Sequence, residues 1–356
     1  MSTNTTIDQD KLMDFVFRVV GEVGATLNAT LVEMGDRLGF YRSMADGAAV
    51  THAELAQRTG VDEHYTREWL CAQAAGGYID YDPATARYTL PAEHAAALAD
   101  EQSPVFLPGL FQIANGTCRD APAIFADART GAGFGWHQHN EDIHQGCERF
   151  FRPGYNANLV GSWLPALNGV VGKLESGARV ADVGCGYGAS TIVMAQAFPR
   201  SAFFGSDYHA ESIAAARDRA AEAGVAERAT FECAPAASIP GSDYDLVTMF
   251  DCLHDMGDPA GAARHVREVL APDGTWMVVE PIAGDRVEDN LNPVGRLYYG
   301  FSTLLCTPCS LSQEVGLALG TQAGAAKLSE VILGAGFNQV RKVAETPFNM
   351  VLEARP

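Results

Sequence analysis

Three glycines at alternate positions, Gly184, Gly186 and Gly188, close the run Arg-Val-Ala-Asp-Val-Gly-Cys-Gly-Tyr-Gly at residues 179–188. An apolar strand that enters such glycines and leaves through Ala-Ser-Thr-Ile-Val-Met predicts a tight strand-to-helix turn. A ligand can approach that backbone where side chains would block it. Two acids flank the turn: Asp182 before the first glycine, and Asp207 at the end of the next predicted strand. Further along, His254 sits in Phe-Asp-Cys-Leu-His-Asp-Met-Gly-Asp-Pro, residues 250–259. A neutral imidazole can take a proton near neutral pH, and a neighbouring carboxylate, Asp255 or Glu280, can orient it. Together these residues predict a nucleotide-type cofactor site beside an acid–base centre.

The turn narrows the cofactor. Nicotinamide and flavin folds favour Gly-x-Gly-x-x-Gly, with the pyrophosphate on the helix N-terminus. Here the spacing is Gly184-x-Gly186-x-Gly188. S-adenosylmethionine carries no phosphate. An acid on the strand, Asp182, and exposed turn backbone suit its ammonium and carboxylate ends, and Asp207 can accept two ribose hydroxyls.

These groups need a frame to hold them. From residue 178 the chain alternates strand and helix: strands at 180–183, 201–207, 230–233, 244–250 and 275–280, with helices between and a terminal hairpin near 339–354. That alternation predicts a doubly wound, mostly parallel sheet. Residues 250–259 then follow the fourth strand, at the sheet edge where such folds bind ligands. The N-terminal stretch reads differently. Leu12, Phe15, Val16, Val19, Val20 and Val23 recur at helical spacing, as do Leu27, Leu31, Met34 and Leu38. Thr51-His-Ala-Glu is a capping box, Gly60 a stop, and a second helix begins at Val61-Asp62. Two short strands follow at 78–81 and 87–90, giving helix, turn, helix, hairpin: a winged-helix pattern. Three domains are expected: 1–100, 101–175 and 176–356.

With these motifs in view, the chain resembles the class I S-adenosylmethionine-dependent methyltransferases, and more narrowly the bacterial small-molecule O-methyltransferases with an N-terminal winged helix. The motifs that carry the resemblance are Val-Ala-Asp-Val-Gly-Cys-Gly-Tyr-Gly, Gly-Ser-Asp ending at Asp207, Tyr-Asp-Leu-Val at 244–247 and Leu-Ala-Pro-Asp-Gly-Thr at 270–275. The resemblance implies a Rossmann-like, seven-stranded α/β fold with an antiparallel C-terminal strand. It implies that Gly184, Cys185 and Gly186 line the methionine part of S-adenosylmethionine, that Asp207 binds ribose, and that Tyr208, Ala234 and Pro235 flank adenine. Phe250, Asp251 and Tyr155 complete the expected cofactor contacts, and S-adenosylhomocysteine is the expected product. By the same resemblance His254 is the general base. The match has departures: Met256 stands where the family has Trp, and Gln322 stands at the approximate place of a second acid. Methylation at N or C therefore stays open beside O-methylation.

The middle region is rich in aromatic and His residues, and Trp136, His137 and His139 are expected at the acceptor, with Gln322 opposite. No metal is expected from His137, His139 and His144, nor from the pair Cys306-Thr-Pro-Cys309, which lacks the other half of a zinc site. The formal net charge is −19 and the eight cysteines are scattered. Nucleic acid and anionic membrane are disfavoured as partners, and reduced thiols in a cytoplasm are expected. Residues 1–100 hold seven basic against fifteen acidic residues, with Asp62, Glu63 and Glu68 on the would-be recognition helix. A DNA-binding regulator is thus the weaker reading, and homodimerisation through the apolar first helices the stronger. No run of eighteen apolar residues exists and no secretory signal is read at the N-terminus, so no membrane anchor is expected.

Overall fold

The computed structural model describes residues 7–356. Residues 1–6, which open the expected domain 1–100, lie outside the described residues. Contacts divide the chain into two compact units: 1–115 with 145–153, and 116–144 with 154–356.

The first unit begins with α1 (Gln9–Arg37), one continuous helix capped by the Asp8 carboxylate, which accepts from the Asp10 and Lys11 amides. The apolar residues noted in the sequence lie on it, with Leu38 just past its end, yet most are exposed, among them Phe15, Val16, Val20, Val23 and Leu27, and Phe17 beside them is exposed as well. By length and composition α1 is long and apolar enough to cross a membrane, which the sequence reading did not anticipate because Arg18 and Glu22 interrupt its apolar run. After α2 (Phe40–Met44), α3 (His52–Thr59) carries the capping box with both bonds in place. Its end is Gly60, at φ +71°. Next comes α4 (Glu63–Ala75), capped by Asp62, and the hairpin of β1 (Asp80–Asp82) and β2 (Arg87–Thr89). Trp69 of α4 packs on Phe40 and Tyr41, among Val32, Leu55, Leu70 and Leu90. Three longer segments follow: α5 (Ala92–Leu98), then α6 (Pro108–Ala128) and α7 (Glu141–Asn158), which give residues to both units.

The second unit is built on seven strands: β3 (Arg179–Val183), β4 (Ala202–Asp207), β5 (Ala229–Cys233), β6 (Tyr244–Phe250), β7 (Leu270–Pro281), β8 (Gln339–Glu345) and β9 (Asn349–Arg355). Their order is β5-β4-β3-β6-β7-β9-β8. Neighbours from β5 to β7 pair in parallel, while β9 is antiparallel to both β7 and β8. The expected seven-stranded, mostly parallel sheet is therefore present. The stretch at 271–274, which reads as a turn, instead lies within β7. The β6–β7 pairing jumps from Tyr244↔Leu270 to Leu246↔Thr275 and so absorbs the extra residues as an irregularity in the ladder. Burial of Val247, Met249, Trp276, Val278, Val351 and Leu352 holds the central strands rigid, and with them the loops at their C-terminal ends.

Candidate active site

The turn after β3 forms as its glycines require. Gly184, Gly186 and Gly188 all have positive φ, at +72°, +51° and +79°. A Cβ on Gly184 would lie 2.7 Å from Cys252 Sγ, so this glycine also lets the β3 turn close on the segment after β6. A Cβ on Gly186 would meet nothing within 4 Å; here the backbone faces open space. The amides of Gly184 and Cys185 donate to the Ser206 carbonyl at 2.8 and 3.0 Å, fastening the turn to β4.

The two acids have opposite placements. Asp182 is 1% exposed. It accepts from the Ser190 and Thr191 hydroxyls at 2.6 Å each and from Thr248 at 2.8 Å. Three hydroxyls from the following helix and from β6 thus take up most of the Asp182 carboxylate, which ties the helix after the turn to β6. Asp207 accepts the Gly186 amide at 3.0 Å and the His209 amide at 2.9 Å. A carboxylate offers about four lone-pair sites, so two remain for incoming hydroxyls. Burial pushes its pKa up, with the two amides pulling it down. Tyr208 follows, partly exposed, and Ala234 donates its amide to the Asp207 carbonyl at 3.0 Å. Ala234-Pro235 thus lies beside Asp207 at the ends of β5 and β4. Cys185 is buried, and its thiol pKa is pushed well up by that burial and by the nearby Asp207 and Asp182.

At the end of β6, Phe250 stacks on Tyr155 with ring centres 5.0 Å apart. Asp251 holds φ +50°, a left-handed conformation unusual for a side-chain-bearing residue. Its Oδ1 accepts from Asn349 Nδ2 at 2.8 Å, and its Oδ2 is buried without a hydrogen bond of normal geometry. Burial and the neighbouring Glu280 carboxylate raise its pKa well above the usual range.

A one-turn 3-10 segment, Leu253–Asp255, then presents His254. The ring is 3% exposed. Its Nδ1 lies 2.5 Å from Glu280 Oε2 on β7, while Glu280 Oε1 accepts the Leu253 amide at 2.9 Å. An ionised carboxylate only accepts, so Nδ1 carries a hydrogen, and Nε2 holds a lone pair whenever the ring is neutral. Nε2 lies 3.3 Å from Cys306 Sγ. Burial works against the imidazolium, but Glu280 and Cys306 outweigh it and hold the His254 pKa well above its ordinary value. Asp255 is pushed up to about 7 by burial, with His254 opposing. Of the two acids that could orient His254, Glu280 makes the bond.

Gln322 does not join this pair. Its Nε2 donates to the Thr321 and Ile282 carbonyls, at 3.1 and 3.4 Å, and its Oε1 is buried without a partner. Trp136 and His137 lie on a 3-10 turn, Trp136–Gln138. The segment before it is anchored on Pro308, whose carbonyl accepts the Phe134 amide at 2.9 Å. His139 Nδ1 pairs with Asp120 at 2.8 Å, and its Nε2 is buried without a partner. His144 faces His209, ring centres 4.5 Å apart. Sequence reasoning missed His209, Asn349 and the Cys306 contact to His254: His209 follows Asp207 by two residues without a signal of its own, and Asn349 and Cys306 meet Asp251 and His254 only across 98 and 52 positions.

The comparisons decide the architecture. A Rv2258c-like winged HTH domain matches residues 26–100, and a methyltransferase domain matches residues 174–308. The chain joins a winged helix-turn-helix domain to a methyltransferase domain. Over 103 residues the chain is 36% identical to 27-O-demethylrifamycin SV methyltransferase of Amycolatopsis mediterranei, covering 28% of this chain and 38% of that one. The chain spans 24% to 58% of the length of other curated relatives it matches. The whole fold is also similar to human N-acetylserotonin methyltransferase in complex with SAM (TM-score 0.71, 15% identity, 99% of each chain). It is likewise similar to mitomycin 7-O-methyltransferase MmcR (TM-score 0.70, 18% identity, 98% of this chain and 100% of that one). The fold is that of the methyltransferases.

Proposed function

We propose that this protein methylates an oxygen of a small molecule from S-adenosylmethionine, with His254 as general base. The observation that carries the reading is the buried Glu280–His254 pair, 2.5 Å apart, at the sheet edge that also bears the glycine turn. The residues present fit the cofactor. Asp207 keeps acceptor sites for ribose hydroxyls, and the Gly186 backbone opens to space where a bulky ligand can lie. Gly184, Cys185 and Gly186 hold the methionine part in this reading, Tyr208, Ala234 and Pro235 the adenine, and Phe250, Asp251 and Tyr155 the remaining wall. When bound, S-adenosylmethionine supplies an electrophilic sulfonium methyl group.

His254 does the acid–base work. Glu280 fixes the ring plane through Nδ1–H and favours the imidazolium, and once the ring is neutral the Nε2 lone pair is available to an acceptor hydroxyl. That hydroxyl takes the place of the weak Cys306 thiol contact. As the proton reaches Nε2, the imidazolium is stabilised by the carboxylate already bonded at Nδ1. Burial excludes water from the pair, which strengthens both interactions. Trp136, His137 and His139 supply the acceptor side, where aromatic surface with polar tips suits a flat organic molecule. The winged-helix domain serves a second copy of the chain, not DNA. Asp62, Glu63 and Glu68 at the start and on the outer side of α4 would face phosphates unfavourably.

The test is incubation with S-adenosylmethionine and a panel of phenols, alcohols, acids, amines and activated carbons, with methylated product read by mass. His254→Ala is expected to retain cofactor binding and to slow O-methylation by about 10²-fold or more. Undiminished turnover in that variant, or product only from amines or carbon acids, overturns the base assignment and moves the reaction to N or C.

A further inference from the structure

The polar groups around His254 form more than a base and its orienting acid. His254 and Asp255 come from the 3-10 turn Leu253–Asp255, and Cys306 closes a π-helical turn, Ser302–Cys306. Single π turns inside helices recur at functional sites because they re-aim a side chain. The ring nitrogens, the Asp255 carboxylate and the Cys306 sulfur offer ligand atoms that all lie within 4.8 Å of one another. With bond lengths of about 2.0–2.3 Å, a tetrahedral zinc site places its ligand atoms about 3.5 Å apart. The Nε2 to Sγ separation of 3.3 Å is already that edge.

We propose that His254 Nε2, Cys306 Sγ and the Asp255 carboxylate form a binding site for a zinc-class divalent cation, with a fourth position open. One thiolate, one imidazole and one carboxylate are a ligand set that favours zinc or cobalt over magnesium or calcium, which take oxygen alone. Three protein ligands and a vacant corner are the form of a reactive zinc centre, not a structural one. The outer support is present as well: a metal-bound imidazole characteristically donates its other N–H to a carboxylate, and Nδ1 lies 2.5 Å from Glu280. Charge points the same way. Asp251, Asp255 and Glu280 gather around one imidazole in a buried place, and a dication held by a thiolate and a carboxylate adds no net charge there.

A cation on Nε2 takes the lone pair that proton removal needs. Metal-loaded protein is therefore silent in the reaction proposed above. That consequence rests on the base role of His254, whereas binding itself does not, so failure of one leaves the other standing.

Binding is tested on the purified full chain, stripped with chelator and titrated with Co²⁺. A thiolate-to-cobalt absorption band in the near ultraviolet, at one equivalent and displaced by Zn²⁺, is expected. Cys306→Ser should abolish the band, and Asp255→Asn should weaken affinity at least 10-fold, with Cys309→Ser behaving as the parent. Where Cys306→Ser does not fold, the parent chain is alkylated with iodoacetamide with and without Zn²⁺, and the peptide carrying Cys306 is read by mass. Protection of Cys306 by the metal supports the site. A band that survives Cys306→Ser, no band at all, or alkylation of Cys306 unaffected by Zn²⁺ overturns it.

Discussion

At the scale of single residues, two aspartates at strand ends do different work. Asp207 ends β4 with half its acceptor capacity free, while Asp182 spends its carboxylate on Ser190, Thr191 and Thr248. Asp182→Ala leaves three buried hydroxyls without that acceptor. At about 1–3 kcal/mol for a buried polar group left unpaired, partly relieved by rearrangement, the expected loss is about 3 kcal/mol in urea unfolding. S-adenosylmethionine affinity of the folded fraction should change little. Asp207→Ala should do the reverse, raising the cofactor dissociation constant at least 10-fold by calorimetry; unchanged affinity would remove it from the ribose role. The sequence showed both acids but not this division. Which way Asp182 points is decided by hydroxyls on a neighbouring helix and on β6, and Thr248 lies 66 positions away. The same limit hid Cys306, which meets His254 across 52 positions. Glu280 was visible as one of two possible partners because it closes a predicted strand, and only the β6–β7 pairing could choose it over Asp255.

At the scale of elements, local signals were the legible part. The capping box of α3 needs only residues within one turn, and both of its bonds form: Glu54 amide to Thr51 Oγ1 at 3.2 Å, and Thr51 amide to Glu54 Oε2 at 2.8 Å. The hairpin adds Arg87, whose guanidinium reaches both Glu54 oxygens at 2.8 and 2.9 Å. Thr51→Ala is expected to destabilise the winged-helix domain by about 1 kcal/mol, read by thermal or urea unfolding. Arg87 and the Thr51 amide hold the Glu54 pKa down at about 2. A depressed carboxylate contributes stability above its unfolded pKa, and that contribution fades as pH falls through about 2. Glu54→Gln should therefore flatten the acid limb of the unfolding curve below about pH 4.5, modestly, because the pair is exposed to solvent. An identical acid limb in both proteins would deny the pair any part in stability. Where elements departed from expectation, tertiary contacts set the outcome. Residues 271–274 carry turn composition and sit inside β7 as the stretch that its pairing with β6 skips, and the segment before the 3-10 turn at 136–138 is anchored by the Phe134 amide on Pro308.

For the whole molecule, the governing feature is α1, which the rest of its unit does not cover. Phe17 is 69% exposed, Val20 61% and Leu27 66%. An exposed face of that size and apolarity marks a contact surface. A second copy fits it best. The chain carries a net charge of −19, which repels an anionic bilayer, and α1 has five acids, Asp10, Asp14, Glu22, Glu33 and Asp36, with only Lys11, Arg18 and Arg37 to answer them. Apposed copies would bury the face symmetrically, as two-fold homodimers do. Phe17→Glu with Val20→Glu tests this, since both positions are exposed in the single chain and surface changes of this kind alter folding stability by only about 0.5 kcal/mol. The parent should sediment as a dimer at micromolar concentration, and the double variant as a monomer with the same circular dichroism. A parent that sediments as a monomer, yet floats with vesicles of anionic lipid, would hand α1 to the membrane; a double variant that stays dimeric would place the dimer contact on another face.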